Sequence, residues 1–373
     1  MKTSAQKKVL ISGASFAGLS TAYWMNRFGY KVTIIEIAPG LKKGGTPVNI
    51  LGNTIDIVKR MGLFEEIQSN RLVMKSMEFR NADDVTERID FIQQNQKAPE
   101  YEIERDILLH MLYKAVKADV EFIYDESITG LQEIDDHVYV TFKKRSPQTY
   151  DLVFGCDGIH SAVRRYWFGA ETTFSHFLQT YFSITIVNKL LVPEYTMQMY
   201  SEPGKTIMLN AYNGKTDICL AFFAEQEIPY NYRDEQQQRN IIIERFKGTG
   251  WRTAELLAEV QQFGNFYFDK LCQVKMPSWT KGRVALVGDS GYCASPAAGR
   301  GGSLAIDGAA ALADAFEASN GNYELAFKEY NNNFRPFIEE IQAEVVNFGV
   351  EMLIPRTEEA IIKRNRDGFG SQH

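Results

Sequence analysis

Short side chains and one carboxylate at fixed places carry the first chemical signal. Residues 8–12 (Lys-Val-Leu-Ile-Ser) lead into Gly13-Ala14-Ser15-Phe16-Ala17-Gly18. The pattern is close to Gly-x-Gly-x-x-Gly. There the first glycine permits a tight turn, the second lets the backbone approach a pyrophosphate, and the third lets a helix pack on its strand. Ser15 occupies the middle position. Its Cβ holds an anion slightly further away, and its hydroxyl can donate to a phosphate. A helix starting here presents free N–H groups and a partial positive charge to an anion. Gly13, Ser15, Ala17 and Gly18 are therefore candidate dinucleotide contacts. Glu36 closes the next strand, 31–36. A carboxylate there suits ribose hydroxyls and repels a 2′-phosphate. The competing reading is a plain glycine turn with Glu36 solvated at a strand end.

Two later stretches extend the pattern. Residues 150–164 run from an apolar strand into Asp157-Gly158-Ile159-His160-Ser161 and then Arg164. Residues 283–301 run from Arg-Val-Ala-Leu-Val into Gly288-Asp289, with Pro296, Gly299 and Gly301 beyond. With the glycine turn, in this order, they resemble the motifs of class A flavoprotein monooxygenases, the para-hydroxybenzoate hydroxylase group. That resemblance implies tightly but non-covalently bound FAD, with NADPH or NADH as transient reductant and O2 as co-substrate. Asp289 would take a ribityl hydroxyl. Pro296, Gly299, Gly301 and Gly302 would open a helix beside the flavin ring. Asp157 would support the fold near the cofactor. Arg105, heading Arg-Asp-Ile-Leu, resembles the arginine that approaches the FAD phosphates; pairing with Glu102 or Glu104 is the alternative. Gly44 and Gly45 resemble the loop beside the flavin. Taken alone, Asp289 reads as a helix cap and Asp157 as a turn former. Two departures stand out: the mostly apolar stretch Pro47-Val48-Asn49-Ile50-Leu51, and Ser290-Gly291-Tyr292 where Ala-His is usual.

Within that group the chain is most similar to the tetracycline-inactivating flavin monooxygenases. The basis is its short length, Tyr23-Trp24-Met25-Asn26-Arg27-Phe28-Gly29 in the first helix, Lys43-Gly44-Gly45 before an apolar strand, and Asp157-Gly158-Ile159-His160-Ser161. A long terminal helix over 334–364 also fits. The resemblance implies hydroxylation of an electron-rich aromatic or polyketide substrate through a flavin C4a-hydroperoxide, with inactivation of tetracycline-type antibiotics as one outcome. No catalytic acid or base is identified. A flavin halogenase would carry closely spaced tryptophans, whereas Trp24, Trp167, Trp251 and Trp279 are far apart. A geranylgeranyl-reductase-type flavin reductase and a non-catalytic flavin- or ligand-binding relative remain open.

These residues need elements to hold them. A β-α-β unit over 8–36 and a buried strand at 283–288 give an α/β fold. With the resemblance, this implies a Rossmann-like FAD-binding part of glutathione-reductase type with an inserted antiparallel-sheet substrate domain and a C-terminal helix. The FAD-binding part is expected from 1–72, 94–168 and 276–333. The substrate part is expected from 73–93 and 169–275, and a helical region from 334–373. Helices are expected at 53–69, 104–118, 234–247 and 302–318. Strands are expected at 73–80, 85–93, 120–125, 137–144, 150–155, 178–187, 195–201, 205–212 and 216–224. The tail after Arg364 should fray. Alternation in 205–224 puts Met208, Asn210, Tyr212 and Phe222 forward as pocket candidates; core or plain surface is the competing reading.

Composition bounds the rest. The chain has 373 residues, a net charge of −6 and 45% hydrophobic residues. This is a soluble globular balance with no basic face for nucleic acid. Neither a leader nor a membrane-length apolar run is expected. The four cysteines and five histidines have no metal spacing, so no metal is expected. A cytoplasmic monomer acting on a small molecule is the expectation. The surplus of aromatics, 24 Phe and 18 Tyr, suits a flat ring system or simply core.

Overall fold

The computed structural model describes residues 6–81, 83–84, 86–90, 100–262 and 265–368. Runs rich in Val, Ile and Leu build the first layer. Lys8–Ser12, Lys31–Ile35, Leu152–Gly155 and Val284–Leu286 are buried almost throughout, as strands covered on both faces must be. They are parallel neighbours in a six-stranded sheet. Its order is Thr280–Lys281, Val284–Leu286, Leu152–Gly155, Lys8–Ser12, Lys31–Ile35, Glu121–Ile123. Only the short first strand runs antiparallel. Helix Phe16–Arg27 connects the adjacent strands Lys8–Ser12 and Lys31–Ile35 and packs on helix Gly301–Ala318. Residues distant in the chain are thereby gathered at one end of this sheet.

The second layer is a seven-stranded sheet of order Phe266–Val274, Ser175–Val187, Lys215–Phe223, Lys205–Tyr212, Thr196–Glu202, Ser76–Arg80, Thr86–Asp90. Its neighbours are antiparallel except Thr196–Glu202 with Ser76–Arg80, which run parallel. Opposed residues share a face, so the register sorts the side chains. Tyr181, Ile207, Leu209, Ile218, Leu220, Phe222 and Phe268 form one core with Ile242, Phe246, Leu256 and Val260 of the helices Glu235–Phe246 and Thr253–Gln262. On the other face the opposed residues Ile184, Cys219, Met208, Met199 and Phe79 make a row across five strands. That face turns toward the glycine loops: Lys42 lies 5.5 Å from the Tyr267 ring centre.

Several elements differ from expectation. The helix expected over 53–69 is two, Asn53–Arg60 and Phe64–Ser69, because Gly62 adopts φ +73° between them. The expected terminal helix begins earlier and breaks. It runs Tyr323–Glu344, loosens into a π turn at Val345–Gly349, continues as Val350–Leu353, and restarts at Glu358–Asp367. Pro355 explains the break: it lacks an N–H, and it biases Ile354 to φ −134°, ψ 80°. The chain stays helical past Arg364 to Asp367, and residues 369–373 lie outside the described residues. So do parts of the expected strand 85–93. Strand Ile128–Ile134 and helix Thr253–Gln262 carried no sequence signal strong enough to name. Among the described residues no helix is long and apolar enough to cross a membrane, and no cluster could hold a metal ion.

Candidate functional site

The glycine turn is dictated by crowding. Gly13 has φ +103°, and a Cβ there would overlap the Cys156 carbonyl. A Cβ on Gly18 would overlap the Gly13 carbonyl oxygen. Ser15 is the N-cap of Phe16–Arg27, yet its side chain caps nothing and the first turn holds no acid. The first amides of a twelve-residue helix are thus left for an outside anion. The Ser15 hydroxyl instead accepts from Arg105 Nη2 at 3.2 Å. Arg105 Nη1 donates to the Lys42 and Gly44 carbonyls at 3.0 and 3.1 Å, and the guanidinium lies 5.2 Å from the Phe16 ring centre. Burial lowers its pKa, with Asp106 opposing. Gly44 and Gly45 have φ +84° and +107°, and a Cβ on Gly45 would come 2.6 Å from Arg105 Cδ. The two glycines therefore let Arg105 lie beside Ser15. Neither Glu102 nor Glu104 pairs with it: Glu104 accepts from Lys215 at 2.7 Å. Glu36 accepts from the Ala14 and Ala38 amides at 2.8 and 2.9 Å, which bolts the turn to the second strand.

The other two motifs interlock. Both Asp157 oxygens take donors: the Ser161 hydroxyl, the Ala162 and Val163 amides at 2.9 and 3.1 Å, and the Ser12 hydroxyl at 3.3 Å. This carboxylate organises the start of helix Ala162–Trp167 and ties it to the first strand. Arg164 is fully buried and donates to the Ser290 and Ile159 carbonyls, joining the second motif to the third. Asp289 follows strand Val284–Leu286 and is exposed, while desolvation raises its carboxyl above the ordinary value against an opposing bond with Cys293. Pro296–Ala298 forms a 3-10 turn, Gly299 comes next at φ +64°, and Gly301–Ala318 begins with no side-chain cap and no acid in its first turn. A Cβ on Gly299 or Gly301 would meet open space, whereas one on Gly302 would touch Val48 at 3.2 Å. The departure Ser290-Gly291-Tyr292 has a structural use. Ser290 bonds the Gly155 and Val287 carbonyls at 2.5 and 2.9 Å. Tyr292 packs in a ring cluster with Trp279, Tyr330 and Phe334.

The seven-stranded sheet supplies the facing wall. Met208 is half-buried in a row with Ile184 and Cys219, which are equally open. Phe182 and Tyr267 continue this floor, their ring centres 5.6 Å apart. Asn210 and Tyr212 lie on this side but are buried, Tyr212 donating to Asp217 at 3.0 Å. Asn210 Oδ1 and Asp217 Oδ2, opposed in register, have no hydrogen-bond partner. Burial pushes Asp217 up to about 7 despite the Tyr212 bond. Phe222 does not belong to the floor. It is 1% exposed in the opposite core, stacked on Tyr181 at 5.5 Å. The alternation argument had put it with Met208, but strand pairing sets it opposite Lys205 and Tyr181. Phe182, Ile184, Cys219 and Tyr267 were missed, because each strand alternates and its pairing partners decide which parity is open.

Two uncapped helix starts, a partly desolvated arginine, an open glycine turn and an exposed carboxylate fit a long dinucleotide with a pyrophosphate. Comparison with known proteins agrees. A family model described as an FAD binding domain matches residues 6–341. An uncharacterised protein of Mycobacterium tuberculosis is 37% identical over 344 residues, covering 90% of this chain and 92% of that one. A flavin-dependent monooxygenase of Legionella longbeachae is 35% identical over 351 residues, covering 92% and 88%. The crystal structure of tetracycline destructase Tet(55) superposes with a TM-score of 0.85 at 32% identity, covering 98% of this chain and 96% of that one.

Proposed function

This chain belongs to the FAD-binding-domain family and is a flavin-dependent monooxygenase, and on that premise we propose that it hydroxylates a flat, multi-ring polyketide of the tetracycline type. The observation that carries this reading is the half-open apolar row Ile184–Cys219–Met208, with Phe182 and Tyr267 beside it, facing the glycine loops. A broad apolar floor suits a large planar ligand better than a single small phenol. The unpartnered Asn210 and Asp217 oxygens at one end of the floor suit a substrate edge rich in hydroxyl or amide donors. Likeness to Tet(55) over nearly the whole chain supports the same choice.

The residues divide the work. In this reading the start of helix Phe16–Arg27, with Ser15 and Arg105, holds the pyrophosphate, and Glu36 meets the adenosine ribose. Asp289 takes the ribityl chain. The amides after Gly299 would lie beside the flavin and would favour negative charge on it. Bound FAD, reduced by NAD(P)H, supplies the activation of O2. The chain orients the substrate against the floor and excludes bulk water.

The test is NAD(P)H consumption across a panel of tetracyclines, other polyketides and small phenols, with mass spectrometry of the products. A coupled gain of one oxygen on a tetracycline is expected. Gain confined to small phenols, or peroxide release alone, overturns the substrate assignment.

A further inference from the structure

His160 sits in the loop after strand Leu152–Gly155, yet its imidazole leaves the parallel sheet altogether. Nε2 lies 3.1 Å from Asp269 Oδ2 on the edge strand of the seven-stranded sheet, and Nδ1 lies 3.1 Å from Glu171 Oε1. Asp269 also accepts from the Tyr267 hydroxyl at 3.0 Å, the Tyr230 hydroxyl at 3.1 Å and the Lys270 amide at 2.8 Å. Tyr267 and Asp269 are two residues apart and share a strand face. The phenol therefore lies back along the strand, and its ring walls the floor between Phe182 and Lys42. Among the described residues four donors converge on one nearly buried carboxylate, and only the one from His160 comes from the parallel-sheet side.

We propose that His160 is a positioning residue for the hydroxylation: through Asp269 it fixes Tyr267 as a wall of the cleft and closes the seam between the two sheets against water. This rests on the reading that oxidation takes place over this floor. A buried carboxylate keeps its charge only while a cation or several donors face it. Without His160 the Asp269 carboxylate keeps the Tyr230, Tyr267 and Lys270 donors but loses its cation and its tie to the parallel sheet, so the acceptor that holds the Tyr267 hydroxyl is less firmly placed. The ring is then free to move, and the seam beside Asp289 opens. Water reaching an oxygen-activating flavin promotes peroxide loss over transfer.

The surroundings keep the imidazole cationic at neutral pH. The groups facing it or its partners are Asp269, Glu171, Tyr232 stacked at 6.4 Å, Arg164 at 3.9 Å from Glu171, Lys270, Tyr230 and Tyr267. Bonds to Asp269 and Glu171 raise His160 to about 9 against a smaller opposing effect of burial. Burial would raise Asp269, but His160 holds it below the ordinary carboxylate range. The clasp thus stays formed through neutral pH and is lost as pH rises through about 9, while its contribution to stability is full below the ordinary histidine value.

The experiment uses the FAD-loaded protein without organic substrate, so its outcome is separable from the tetracycline assignment. Photoreduced enzyme is mixed with oxygenated buffer and peroxide release is timed; acrylamide quenching of bound-flavin fluorescence is measured in parallel. His160→Ala should release peroxide about fivefold faster at neutral pH and be quenched more readily, with FAD retained. His160→Arg, which keeps a cation able to reach both carboxylates, should restore both readouts. Wild-type enzyme should approach the alanine variant as pH rises past 9. Wild-type release and quenching in His160→Ala, or failure of His160→Arg to restore them, overturns the proposal. If His160→Ala does not hold FAD, the unmutated protein decides: flat release and quenching through pH 10 overturns it.

Discussion

The two sheets make their sites from different material. At the end of the parallel sheet the proposed cofactor surface is mostly backbone: helix amides and glycine turns, with Glu36, Arg105 and Asp289 as the charged additions. On the seven-stranded sheet it is mostly side chains standing off a regular ladder. At Gly13 and Gly18 the backbone site is intolerant of change, because an added Cβ collides with backbone atoms that cannot move. A side-chain site can be re-cut residue by residue while the ladder persists. One cofactor can thus be held constant while the facing floor selects the substrate.

The largest test of that contrast is Gly18→Val. Its side chain would enter the Gly13 carbonyl, so the purified protein should be colourless or insoluble, as flavin absorbance and solubility would show. Next, Phe222→Ala should cost about 3–5 kcal/mol in denaturant unfolding, as for a buried aromatic, and leave substrate KM unchanged. A KM effect without instability would return Phe222 to the floor. Asp289→Ala should weaken FAD retention about ten- to hundredfold, the value of a charged hydrogen bond, with little change in fold by circular dichroism. Wild-type flavin content in that variant would remove it from the cofactor site. The smallest effect concerns pH. Burial holds Asp217 and Glu102 each at about 7, above their unfolded values. Their contribution to stability is present below about pH 4 and is lost as pH rises through 7. Asp217→Asn should therefore flatten the fall in Tm between pH 5 and pH 8, and an unchanged slope would count against a raised Asp217.

The same contrast explains which residues were legible in the sequence. Gly13, Gly18, Gly44 and Gly45 were, because glycine identity itself records a steric demand. Arg105 was ambiguous in sequence, since Glu102 and Glu104 stand next to it; only the fold sends Glu104 to Lys215 and Arg105 to Ser15. The floor was half legible. Alternation in 205–212 separated Ile207 and Leu209 from Met208, but the parity of the neighbouring strand depends on pairing, and Phe222 fell on the wrong side. His160 stood inside a recognised motif, and nothing local to it pointed to Asp269, more than a hundred residues later.

The broken terminal helix has a mechanical consequence. Tyr330 and Phe334 anchor its first half in the ring cluster on the parallel sheet, while Arg364, lying 5.3 Å from the Phe79 ring centre and bonded to Ser201, anchors its last piece on the far strands of the other sheet. Gln342, bonded to the Val274 and Cys293 carbonyls, extends the first anchor, and the Pro355 carbonyl, accepting from the Gly204 amide, begins the second; between Gln342 and Pro355 the chain passes through the π turn and one short helical turn. The segment spans the two sheets as a strap, so a pull that separates them is transmitted through the π turn, where Gly349 lies against the Ala297 carbonyl.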